Sequence, residues 1–246
     1  MTRRTAATVD WENWWRFKYW RKTLYTEIRK LDSMSAKGIH IEEEIAVELQ
    51  HVNVKLLLKD PARVDLHAVV PVFHSWIQER SGNELLLDVA SYAHVKDGPG
   101  ILLIGHEADY SLDLTDGRLG LRYNRKALLE GTSASRLDQA VRAALNALER
   151  LEHDGRLRGK IQFDGRGLEM FINDRLLAPN TEEIRRAVDP ELRAFLGRLL
   201  ADEGYSLAHE ADPRRLFGAR VQFDREFTVR ELMQNLSQTA SQYAGL

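Results

Sequence analysis

The stretch ILLIGHEADYSLDLTDGRLGLRY, residues 101–123, decides how the rest of the chain is read. Apolar and polar residues alternate on both sides of Thr115-Asp116-Gly117-Arg118, and an Asp-Gly pair between alternating runs is a hairpin signal. Residues 101–114 and 119–123 are therefore expected to pair as antiparallel strands. The same grammar recurs downstream. Residues 160–163 and 168–172 flank Asp164-Gly165-Arg166-Gly167, and residues 205–210 and 216–223 flank Ala211-Asp212-Pro213-Arg214-Arg215, giving a second and a third expected hairpin. Between them, Ser133 or Ser135 opens a helix whose Leu137, Ala140, Val141, Ala144, Leu148 and Leu151 share one face, closed at His153-Asp154-Gly155. Thr181-Glu182-Glu183 and Asp189-Pro190-Glu191 start further helical segments. Hairpin, helix, hairpin, helix, hairpin predicts an α+β fold, an antiparallel sheet of successive hairpins with helices on one face.

Upstream the signals are mixed. Residues 39–59 carry a helical face in Ile45, Leu49, Val52 and Leu56, yet they also alternate as strands do, and their β-branched content favours strand. Residues 69–79, with Pro71 near the start and Phe73, Trp76 and Ile77 as the apolar set, read as a short helix. The last segment, 225–246, is a helix announced by a capping box, Thr228 with Glu231, and a hydrophobic staple, Phe227 with Leu232.

Composition narrows the function classes. The 246 residues hold 35 Lys+Arg against 37 Asp+Glu, a net charge of −2 that argues against general nucleic-acid binding. Without cysteine there are no disulfides, thiolate metal sites or cysteine nucleophiles. No apolar run is long enough to span a membrane, and the start lacks a signal-peptide core, so the chain is expected to be cytoplasmic and to meet a membrane only through a partner.

Charge is unevenly spread. Residues 1–37 hold nine Lys/Arg against four acids, a surplus of five that leaves −7 for the remainder, and they contain four of the five tryptophans. This divides the chain into an aromatic, basic arm over 1–33, a body over 38–224 and the C-terminal helix. On a helical wheel Trp14, Phe17, Trp20, Leu24, Ile28 and Leu31 form one stripe, while Trp11, Trp15 and Tyr19 fall on the far side. A helix lying on lipid keeps its aromatics on one face, and a helix packed only on its own body needs one apolar face. Two aromatic faces imply two packed surfaces. The expected docking residues are Trp11, Trp14, Trp15, Phe17, Tyr19 and Trp20, and the expected partner is a larger protein complex, itself cytosolic or attached to a membrane.

The central block resembles a group of bacterial proteins of unassigned function. The resemblance rests on Pro71-Val72-Phe73-His74-Ser75-Trp76-Ile77-Gln78, residues 86–92 with His94-Val95, residues 98–107, Asp116-Gly117-Arg118 and Tyr123-Asn124-Arg125-Lys126, and covers about residues 38–223. It implies no activity. An uncharacterised body with a docking arm fits a non-catalytic accessory or scaffold subunit.

The chemical alternative is a metal-dependent hydrolase or an anion-binding enzyme. His106, Glu107 and Asp109 are its weak metal candidates, although alternation along a strand puts His106 opposite the two acids and no zinc signature is present. Arg118, Arg122, Arg125 and Lys126 could grip a carboxylate or phosphate, with polar help from Asn173-Asp174-Arg175 and Pro179-Asn180-Thr181. No Gly-x-Gly-x-x-Gly turn, Walker loop or Gly-x-Ser-x-Gly elbow occurs, so no cofactor and no serine nucleophile are expected.

Overall fold

The computed structural model describes residues 47–80 and 84–243. All of these residues lie in one compact unit, Ile45–Leu246. The arm, with its expected docking residues, lies outside them.

The fold is α+β. Its strands are β1 (Val52–Leu58), β2 (Leu86–Tyr92), β3 (Gly100–Gly105), β4 (Ala108–Asp113), β5 (Gly120–Arg125), β6 (Phe163–Ile172), β7 (Tyr205–His209) and β8 (Gly218–Phe223). The helices are α1 (Val70–Glu79), α2 (Ser133–His153), α3 (Glu182–Leu200) and α4 (Val229–Tyr243). One eight-stranded antiparallel sheet, in the order β2-β3-β4-β5-β1-β6-β8-β7, takes up every strand among the described residues. Among the described residues no helix is long and apolar enough to cross a membrane.

The hairpin around Asp116-Gly117 forms as β4 and β5, and β7 pairs β8 as the third one. Two expectations change. Residues 101–114 are not one strand, because the chain reverses at His106-Glu107 to give β3 and β4, closed by Asp109 Oδ1 accepting from the Gly105 amide at 3.2 Å. Asp164-Gly165-Arg166-Gly167 is not a turn but part of the ten-residue β6. There the register against β1 jumps from Leu56↔Leu168 to Leu58↔Phe163, so the glycines serve a bulge. Gly165 sits at φ +74, its carbonyl accepts from the Phe227 amide at 2.8 Å, and a Cβ there would meet the Phe227 carbonyl oxygen at 2.6 Å. Gly165→Ala is expected to cost about 2 kcal/mol or more, from the left-handed backbone and the displaced segment before α4; a melting curve matching that of the unaltered protein would refute that docking.

Residues 52–58 are strand, and the two helical segments expected at Thr181 and Asp189 are one helix with Pro190 inside. The α2 cap is Thr132, whose hydroxyl accepts from the Ser135 amide. At α4 the capping box forms as read: the Thr228 amide donates to Glu231 at 2.7 Å, and the Glu231 amide donates back to Thr228 Oγ1 at 3.2 Å. Leu232 and Leu236 are buried, so this helix belongs to the core of the body.

Period-two alternation makes the two faces of the sheet unlike. Leu103, Tyr110, Tyr123, Val54, Met170 and Ala219 lie in one cross-strand row, and they belong to the core that α2, α3 and α4 complete. The adjacent row, one residue along each strand, points the other way: Ser111, Arg122, Lys55, Glu169 and Arg220. That polar row is the floor of the site.

Candidate functional site

A cavity of about 260 Å³ opens on the polar face, lined by β1, β5 and β6, the β4–β5 turn, the segment after β6 and the β7–β8 loop. Its floor is an ion pair taken out of water. Lys55 is 2% exposed; its Nζ donates to Asp113 Oδ1 at 2.6 Å and to the Thr115 carbonyl at 3.1 Å. Asp113 also accepts from the Thr115 amide and hydroxyl at 3.1 and 2.9 Å. The Lys55 stem reaches its partner because Gly120 lies in the way without a side chain, where a Cβ would come within 3.0 Å of Lys55 Cγ. Beside it the buried Glu169 carboxylate accepts from Arg118 and from Arg220 Nε, the latter at 3.1 Å.

The walls are cationic. Five cations, Lys55, Arg122, Arg175, Arg214 and Arg215, line the cavity with four acids, Asp113, Asp116, Glu169 and Glu210. Each of those acids is already engaged by a cation. Two of the guanidinia have capacity left. Arg122 lies over the Phe171 ring, 5.5 Å from its centroid, and its closest carboxylate contact is 3.7 Å to Asp113. Its Nε is buried without a hydrogen-bond partner. Arg175 donates to the Arg214 carbonyl at 2.7 Å and forms no ion pair among the described residues. A guanidinium whose face is stacked keeps its in-plane N–H groups for a carboxylate or phosphate. Next to this row both amide atoms of Asn53, which is 0% exposed, and Oδ1 of Asn124 opposite it are also unpartnered.

Arg215 and Asp116 close the rim. One guanidinium nitrogen bonds both Asp116 oxygens at 2.8 Å, and the other meets Glu210 at 3.1 Å. The Arg215 hydrogen bonds hold the Asp116 carboxyl below the usual carboxylate range against the opposing effect of partial burial, and the charges of Arg118 and Lys55 add to the shift.

The four cations expected to act together are split by β5. Arg122 lines the cavity and Arg118 braces Glu169 beneath it, whereas Arg125 and Lys126 stand at the opposite end of the strand. There Arg125 pairs with Glu107 at 2.9 Å and Lys126 with Asp109 at 2.7 Å. His106 is exposed in the adjoining turn, and among the described residues no three His, Asp or Glu side chains are placed to hold a metal ion. Asn180 is a structural brace, bonding the Glu210 and Asp212 carbonyls at 3.1 and 2.9 Å. Sequence reasoning missed Lys55, Phe171 and Arg215. The signal for Lys55 was Val52-Asn53-Val54-Lys55-Leu56, two polar residues two apart in an apolar strand, which marks one face as polar.

No protein-family model matches this chain, and no curated protein sequence matches it.

Proposed function

We propose that this protein is a non-catalytic accessory subunit whose body holds an anionic group, a carboxylate or a phosphate, in the cavity on the polar face of the sheet. Its aromatic arm ties it to a larger protein complex. The observation that carries the ligand reading is Arg122, which lines the cavity over the Phe171 ring with its closest carboxylate contact at 3.7 Å. Guanidinium N–H groups not taken up by a close carboxylate are free to donate to an outside anion, and Arg175, which forms no ion pair among the described residues, supplies a second such group on the same cavity. The acids of the cavity are taken up internally, so recognition of an outside group falls to the cations. The arm half rests on the two aromatic faces of residues 11–20 and on the charge surplus around them.

Thermal melting of the full chain in inorganic phosphate, at constant ionic strength, tests the ligand half. A ligand at about 100 times its Kd adds ~2.7 kcal/mol, which for a domain of this size raises Tm by roughly 5–10 °C. The expected result is a saturable rise in the unaltered protein that is lost in Arg122→Gln. A flat response in the unaltered protein, or the same rise in both, counts against the reading.

A further inference from the structure

We propose that Asp116 is a built-in competitor for this site: its carboxylate occupies the ligand's place on Arg215, and a phosphate monoester dianion is the class of ligand that displaces it. The inference rests on the ligand reading above and adds which anion is selected and what holds the site closed.

Asp116 and Arg215 are 99 residues apart in sequence and come from different loops, the β4–β5 turn and the β7–β8 loop, that meet at the rim of the cavity. Their pair therefore staples one wall to the other. Both side chains remain partly exposed, 37% and 44%, and an ion pair in such a setting is a weak tie. Asp116 also lies in a cationic setting at the site, with Arg215 bonded to it and Arg118 and Lys55 close enough to act on its charge. An anion that already sits among those groups is the nearest thing the chain has to its own ligand.

The competition selects by charge. Asp116 is tethered, so its effective concentration at Arg215 is high, and a free monocarboxylate of equal charge gains little by replacing it. A phosphate dianion brings more charge and three acceptor oxygens, enough for Arg122, Arg175 and Arg215 together. Glu210 stays on Arg215 and keeps the freed loop from collapsing into the site.

The test is calorimetric titration of the full chain at pH 8 with inorganic phosphate and, separately, with acetate. Asp116→Asn removes the charge and keeps the turn, because Asp116 lies at φ +60 and asparagine tolerates that backbone. The variant is expected to bind phosphate about tenfold more tightly and to give a measurable acetate isotherm that the unaltered chain lacks. Asp138→Asn, which breaks the Asp138–Arg142 pair on α2 and touches no residue that lines the cavity, is expected to leave the phosphate Kd within twofold. If Asp116→Asn binds phosphate no more tightly than the unaltered chain, or more weakly, while that chain binds, the competitor is refuted and the cavity reading stands. If neither chain binds phosphate, both fall.

Discussion

Lys55→Met is expected to lower the stability of the body by about 3–5 kcal/mol, because it strands the Asp113 carboxylate out of water. Asp113 would keep the Thr115 amide and hydroxyl, but its one direct cation would be gone and Arg122 is 3.7 Å away. For a domain of about 200 residues this lowers Tm by roughly 10 °C or more. The double change Lys55→Met, Asp113→Leu is expected to recover all but about 1 kcal/mol, since a buried pair contributes little net stability beyond an apolar pair of similar volume. Chemical denaturation of the three proteins decides it: a single variant within 1 kcal/mol of the unaltered protein would mean that this floor is not closed to water.

Deleting residues 1–33 is expected to abolish association with the partner complex while leaving the body folded. Each buried aromatic anchor typically contributes ~2 kcal/mol or more when truncated, so losing even two of Trp11, Trp14, Trp15, Phe17, Tyr19 and Trp20 weakens binding by more than about 10²-fold. The body has its own core, reaching from Leu49 to Leu236, so its melting should stay cooperative. Sedimentation of the tagged chain from extracts of its native host, made under mild conditions, reads the first effect: the full chain should run as a heavier assembly and the truncated one as a monomer. A truncated chain that unfolds would make the arm part of the core, and one that folds and still sediments with the assembly would remove docking from the account.

Where a local signal governs, residues and structure agree. The Asp-Gly turn between β4 and β5, the face of α2 and the Thr228–Glu231 box each depend on a few neighbouring residues, and each formed as read. Where two local signals are alike, tertiary pairing decides between them. Asp164-Gly165-Arg166-Gly167 has the composition of a turn, but β6 must hydrogen-bond β1 on one side and β8 on the other, so the chain runs on and the glycine forms a bulge. Residues 101–114 read as one run of strand-forming residues, but 14 residues exceed the usual length of a strand, and Gly105 before His106 was the available sign of a reversal.

The site was legible only in part. Arg122 was among the candidate anion-binding groups and Arg175 among the polar groups expected to assist them, whereas Lys55, 67 residues earlier in the chain than Arg122, joins it only through the β1–β5 register. Arg125 and Lys126 looked adjacent to Arg122 in sequence, yet an extended strand carries them to its far end and into pairs with Glu107 and Asp109. Proximity along a strand is a poor guide to a site that is assembled across strands.

The central claim is that the body grips an anion between Arg122 and Arg175. Calorimetric titration of inorganic phosphate into the full chain and into its Arg122→Gln, Arg175→Gln double variant tests it most directly. The account predicts one phosphate per chain for the unaltered protein and no measurable heat of binding for the double variant, with both proteins melting cooperatively. Equal binding by the two, or none by the unaltered protein, would contradict it.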